Sequence, residues 1–119
     1  MRSLRVLVVE DDMMIAELLS EMIMDMGHRV CAIETTEAGA VAAAARHGPD
    51  LMIVDARLGA DSGVAAISKI LLLGPVAHLV MSGADVAGSV PGTVILQKPF
   101  RESELVRAMA CALGAETNA

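Results

Sequence analysis

The sequence predicts an open, doubly wound α/β domain on a five-stranded parallel sheet, with residues 1–119 forming one unit. Three observations predict it. Apolar runs of strand length alternate with segments of helical period, the pattern of a repeated βα unit. Three of those runs, ending at Val9, Val54 and Met81, are nearly continuous in apolar residues, as central strands covered on both faces require. Five such units are too few to close an eight-stranded barrel, so the sheet stays open.

The first strand is expected over Leu4–Val9. Ile15, Leu18, Leu19, Met22, Ile23 and Met26 then recur at helical spacing, an amphipathic stripe stopped by Gly27 at the C′ position. Arg29–Ile33 carries a charge and follows a Gly, which suits an edge strand. Thr35 or Thr36 can cap an Ala-rich helix that runs through Ala45 and ends at Gly48-Pro49; the run Ala38–Ala45 reads as helix propensity, not as a binding motif. After a third strand, Leu51–Val54, Ser62 can cap a helix through Leu73, stopped by Gly74-Pro75. Ala77–Met81 is the fourth strand. The segment Gly83–Gly92 contains Gly83, Gly88, Pro91 and Gly92, so a fourth helix there should be short or loose. Thr93–Leu96 is the fifth strand, and after Pro99 the residues Leu105, Val106, Met109, Ala112 and Leu113 define a final helix.

Composition narrows the function. Nine Lys+Arg stand against fifteen Asp+Glu, a net charge of −6, and no basic cluster exists to neutralise phosphates, which argues against nucleic acid as a partner. Mean hydropathy is +0.58, yet no apolar run approaches the roughly eighteen residues a membrane span needs, so no membrane partner is expected. Met-Arg-Ser leads straight into a strand without the features of a signal peptide, and a cytoplasmic location follows as an expectation. Cys31 and Cys111 lack CxxC spacing and are expected to be buried small hydrophobes. His28, His47 and His78 share no ligand spacing, and the nine Met residues are expected to fill an aromatic-poor core.

In open α/β sheets, ligands bind beyond the carboxyl ends of the strands. Glu10, Asp11 and Asp12 follow the first strand, Asp55 the third, Ser82 the fourth and Lys98 the fifth. Taken alone, Glu10–Asp12 would be an acidic helix start favoured by the helix dipole. Polar groups at the ends of four separate strands point instead to a site. Crowded carboxylates repel unless a cation or a proton intervenes, and a hard ion such as Mg²⁺ takes carboxylate oxygens while keeping waters for a phosphate. Lys98 supplies a point charge for an incoming anion. Asp12 is better placed as an N-cap than as a ligand.

These residues resemble the receiver domain of two-component response regulators. The resemblance runs from Val6–Asp12 through Pro49–Asp55, Leu58–Gly63 and Met81-Ser82-Gly83 to Gln97-Lys98-Pro99-Phe100. It implies the flavodoxin-like strand order 2-1-3-4-5. It also implies Asp55 as phosphoacceptor, Asp11 as direct Mg²⁺ ligand, Glu10 as an outer carboxylate acting through water, and the backbone carbonyl of Arg57 as a third protein ligand. Ser82 matches the hydroxyl that turns toward the phosphoryl group, Lys98 the ammonium that grips it, and Lys98–Pro99 a bond usually cis in the family. The implied function is a signalling phosphoacceptor that catalyses its own phosphorylation and dephosphorylation. Its implied partners are a histidine kinase or a His-containing phosphotransfer protein and a downstream protein target, with no output domain of its own.

Two departures stand out. Ile95 occupies the position where receivers commonly carry an aromatic switch residue, and Gly59 stands near the position of a common Pro, which should loosen that loop. A branched aliphatic has no ring to swing, so ordering of Gly83–Gly92 is the expected readout. Two other function classes compete. A Mg²⁺-dependent phosphatase with an Asp nucleophile usually carries that nucleophile after strand one in a DxD pattern, where this chain has Glu10-Asp11-Asp12. A receiver-like binding module without phosphate chemistry is opposed by the intact Asp11, Asp55 and Lys98.

Overall fold

The structure is a computed structural model that describes residues 2–83 and 93–117. Five parallel strands form one sheet: β1 (Arg5–Val9), β2 (Arg29–Glu34), β3 (Leu51–Asp55), β6 (Ala77–Ser82) and β7 (Val94–Gln97). A two-stranded ladder, β4 (Arg57–Leu58) with β5 (Asp61–Ser62), sits in the connection after β3. The large sheet has the order β2-β1-β3-β6-β7, which is 2-1-3-4-5 when only its own strands are numbered. This is the expected doubly wound, flavodoxin-like arrangement, with the charged Arg29 strand on an edge.

Strand alternation divides the core in two. Val6, Val8, Ile53, Leu79 and Met81 point to one face, where helices α1 (Met13–Asp25) and α4 (Glu102–Thr117) cover them. Leu7, Val9, Met52, Val54 and Val80 point to the other, beneath α2 (Glu37–His47) and α3 (Gly63–Leu71). Each fully buried Leu, Ile or Met contributes about 1.5–3 kcal/mol, which lets a core with a single aromatic residue hold the sheet. Cys31 falls where the β1–β2 register shifts, and its thiol donates to the Val6 carbonyl at 3.4 Å.

The helix caps follow their chemistry. Asp12 accepts from the Met14 and Ile15 N–H groups, Thr36 from Gly39, and Ser62 from Ala65. Gly48 closes α2 in the left-handed conformation at φ 54°, which a glycine adopts without steric cost. Several expectations need correction. Leu18, Met13, Met14 and Met24 on α1 are exposed, as is Val106 on α4. Met filling of the core therefore holds for Met52, Met81 and Met109 but not for these three. Helix α3 ends at Leu71, and Leu72 and Leu73 lie outside it in solvent. Cys111 is exposed on α4, since it follows the buried Met109 by two positions and so faces away. The fourth helix expected across Gly83–Gly92, and its ordering, fall outside the described residues beyond Gly83. No helix among the described residues is long and apolar enough to cross a membrane.

Candidate functional site

The carboxyl ends of the parallel strands bring the expected residues to one rim. Asp55 and Ser82 are the last residues of β3 and β6, one position earlier than residues following the strands, while Glu10 and Lys98 directly follow β1 and β7. Being within the ladder anchors the first two: Asp55 pairs with Met81, and the Ser82 carbonyl accepts from the Lys98 N–H at 2.8 Å. Glu10, Asp55 and Ser82 are all buried, and Asp11 and Asp12 are exposed. The Lys98–Pro99 peptide is cis.

Lys98 joins the rim electrostatically. Its ammonium donates to Glu10 Oε1 at 2.8 Å and to Asp55 Oδ2 at 2.9 Å. The other Glu10 oxygen accepts from the Asp12 N–H at 3.2 Å, and Asp55 Oδ1 accepts from the Arg57 N–H at 3.3 Å. Burial, reinforced by the neighbouring Asp55 carboxylate, pushes the Glu10 carboxyl from 4.5 up to about 7, against the opposing pull of Lys98 and the Asp12 N–H. For Lys98, burial favours the neutral amine, but its hydrogen bonds to Glu10 and Asp55 outweigh that and raise its pKa. Asp12, as expected, is committed to capping α1.

Glu10, Asp11 and Asp55 each offer a carboxylate oxygen, and these atoms lie within 4.8 Å of one another. Three carboxylates against one ammonium leave two negative charges when all are ionised, and a divalent cation would neutralise them. Hard oxygen donors without sulfur or imidazole suit a hard cation, Mg²⁺ among them. Arg57 opens β4 with its side chain exposed. The loop expected to be loosened by Gly59 is instead a tight hairpin: Leu58 pairs with Asp61, and Gly59 supplies the positive φ of 61° that the turn between them requires.

Two contributors escape a reading of the sequence. Gly63 begins α3 against the backbone of Asp55: a Cβ there would lie 1.8 Å from the Asp55 carbonyl oxygen and 2.8 Å from Val54 Cγ1. Its N–H donates to the Ala56 carbonyl at 2.9 Å, which fixes the approach. Asp61 accepts from the Glu37 N–H at 3.0 Å and so ties the hairpin to the start of α2. A lone Gly after Ser62 and an Asp in a short loop are common in any sequence, and nothing in their spacing marks these contacts. His28 accepts from the Leu4 N–H through Nδ1 at 3.1 Å, and His78 Nδ1 lies 2.8 Å from the Val76 carbonyl. Both are engaged by backbone through Nδ1.

The model of the response regulator receiver domain matches residues 6–110. The chain belongs to this family. Among solved structures, this receiver is similar to the PhyR response regulator receiver domain of Erythrobacter litoralis, with 28% identity, a TM-score of 0.84, and coverage of 94% of this chain and 91% of that one. It is also similar to the anti-anti-sigma factor PhyR of Bartonella quintana, at 27% identity and a TM-score of 0.84. That match covers 99% of this chain but only 51% of the other, so the receiver spans about half of that protein's length. A signal receiver domain of a modulated diguanylate cyclase from Desulfovibrio desulfuricans G20, at 22% identity and a TM-score of 0.85, shares the fold. No curated protein sequence matches the chain significantly.

Proposed function

We propose that this receiver accepts a phosphoryl group on Asp55 from a phosphohistidine of a histidine kinase or a phosphotransfer protein. The observation that carries the reading is the restraint on Asp55: one oxygen is held by Lys98 at 2.9 Å and the other by the Arg57 N–H at 3.3 Å, at the buried end of a central strand. A nucleophile oriented in this way is in place before its substrate arrives. In the transfer, an Asp55 oxygen forms a bond to phosphorus while the phosphorus–nitrogen bond to the donor imidazole breaks, and the nitrogen leaves with the electron pair. The product is an acyl phosphate, and its hydrolysis at the same site returns the resting carboxylate.

The chain's own residues supply most of the electrostatics. Lys98 already contacts Asp55 and can follow the charge that gathers on the phosphoryl oxygens. Ser82, ending the adjacent β6, is the hydroxyl proposed to turn toward them. Glu10, Asp11, Asp55 and the Arg57 carbonyl are the proposed holders of Mg²⁺, with Glu10 acting through water. When bound, that ion neutralises phosphoryl oxygens and lowers the repulsion between donor and acceptor. The anti-anti-sigma role belongs to the Bartonella quintana protein as a whole; what we carry over from that name is only that another protein reads the receiver.

Incubation with acetyl phosphate and Mg²⁺, followed by intact mass, tests the reading. One acid-labile phosphoryl adduct per chain is expected, absent from Asp55→Asn. An adduct on the same peptide of that variant would refute the assignment. Continuous turnover of phosphate esters would make the protein a phosphatase, and no reaction would leave it a binding module.

A further inference from the structure

Helix α2 carries no polar side chain between Glu37 and Arg46. A helix on the surface of a soluble domain ordinarily turns a polar face outward, and one that is apolar all round is ordinarily covered. Here no described residue covers it: Ala38, Ala42 and Ala45 are exposed. The adjacent end of α3 extends the apolar surface with much larger side chains, since Leu72 is 86% and Leu73 63% exposed.

The α2–α3 seam also has relief. A hollow of about 480 Å³ lies toward the start of α2, lined by Glu37, Ala38, Val41, Ala42, Asp61 and Lys69. A second, of about 340 Å³, lies at the other end, where Ala45, Pro49, Ile70 and Leu73 meet. Charge is graded along the same seam. Asp61 and Glu37 stand at the start of α2, while Arg46 and His47 stand in its last turn. Glu37 is partly neutralised by Lys69, but Asp61 and Arg46 are both exposed, and Arg46 has no ion-pair partner within the described residues.

We infer that this face pairs with the same face of a second copy of the chain, the two α2 helices running antiparallel about a two-fold axis near Ala42. A two-fold interface needs a self-complementary surface, with knob and hole on the same patch. Rotation about Ala42 sets position 46 opposite position 38 and position 45 opposite position 39. Leu73, which sits beside Ala45, then enters the larger hollow of the second copy next to its Ala38 and Val41. Arg46 falls beside Asp61 and Glu37 of the second copy. A parallel pairing would bring Arg46 against Arg46 and Asp61 against Asp61, so charge selects the antiparallel register. Charge also selects the occupant. A uniformly acidic or basic partner would meet its own sign at one end of the seam, whereas a second copy presents the same gradient reversed.

The small side chains on α2 allow the helix axes to approach at the lower end of the usual 8–10 Å. An interface of two short helices per copy lies near the low end of specific interfaces, about 1,200 Å² in total, so the dimer should be concentration-dependent. The inference does not rest on phosphotransfer.

The axis makes the test specific, because Ala42 meets its own copy. In a Cys111→Ser background, which removes the exposed native thiol, Ala42→Cys should form a disulfide-linked dimer in most chains under mild oxidation. Glu21→Cys, exposed on α1, should remain largely monomeric. Sedimentation of the uncrosslinked wild type should show a monomer–dimer equilibrium, weakened at least tenfold by Arg46→Glu and restored when Asp61→Lys is added. The inference is overturned if the wild type is monomeric at several hundred micromolar, if Ala42→Cys and Glu21→Cys crosslink equally, or if Arg46→Glu leaves the equilibrium unchanged. Failure of the double reversal to restore association would overturn the antiparallel register.

Discussion

Replacing Gly63 by alanine adds one methyl group at the tightest point behind the rim. The new carbon would lie 1.8 Å from the Asp55 carbonyl oxygen and 2.9 Å from its carbonyl carbon, about 1.6 Å short of the 3.4 Å at which ordinary contact begins. Neither of these two atoms is the free end of a flexible side chain; both belong to the strand backbone. Relief therefore requires α3 to lift or the end of β3 to retreat. The first strains the packing of Ala66, Ile67 and Ile70, which are all buried, and the second pulls Asp55 from its pairing with Met81. Forced overpacking of this kind costs about 1–3 kcal/mol. A nucleophile displaced by about 1 Å loses roughly 10²-fold in rate. Thermal unfolding of Gly63→Ala, together with its rate of adduct formation from acetyl phosphate at saturating Mg²⁺, separates the two effects. A loss of stability with an unchanged rate per folded molecule would show that Gly63 serves packing alone. Unchanged values of both would refute the close approach itself.

Asp11→Ala should weaken Mg²⁺ binding strongly with little loss of stability, whereas Asp12→Ala should cost about 1 kcal/mol through the lost α1 cap and leave the metal affinity closer to wild type; titration and urea unfolding read the two. Lys98→Ala should destabilise the beryllofluoride-bound protein more than the resting one, because its ammonium matters most once further negative charge arrives; equal losses in melting experiments would make it a structural counter-ion only. The Glu10 pKa of about 7 in the folded protein lies above its unfolded value near 4.5, so the folded state binds this proton more tightly and the metal-free protein should lose stability as pH rises from about 4.5 to 7, then level off. Urea midpoints of wild type relative to Glu10→Gln should fall across that window, and a flat difference would contradict the shift.

The strands were legible because a central parallel strand has no solvent face: Val6–Val9, Leu51–Val54 and Leu79–Met81 admit no polar residue, and few other structures tolerate such runs. The rim was legible for a related reason. A buried run that stops abruptly at a carboxylate or a hydroxyl places that group at the sheet's edge, as Asp55 and Ser82 show, whereas Lys98 follows a strand that is only partly buried. What stayed hidden was orientation and close contact. Leu18 fits the apolar stripe of α1 by spacing yet lies outward, since the stripe is wider than the strip of sheet beneath it. Ile70–Leu73 is a continuous apolar run, and nothing in it marks where burial ends. The β4–β5 ladder has only two residues per strand, too few for any alternation to register.

The rim can be neutralised in three ways, and they compete for the same oxygens. A proton on Glu10, the Lys98 ammonium and a divalent cation each reduce the repulsion among Glu10, Asp11 and Asp55. Burial makes Glu10 the carboxylate most ready to take the proton, while Lys98 is held by the two carboxylates it separates. A cation engaging Asp11 and Asp55 would favour loss of the Glu10 proton, and by linkage each proton lost should tighten the cation. Metal affinity should accordingly rise with pH through the same interval in which the metal-free protein loses stability. Arrival of a phosphoryl group adds negative charge where Lys98 already bridges β1, β3 and, through its backbone bond to Ser82, β6. A shift of that one ammonium would therefore reach the ends of β1 and β3 at once, which would give the rim a way to signal its charge that needs no aromatic ring at Ile95.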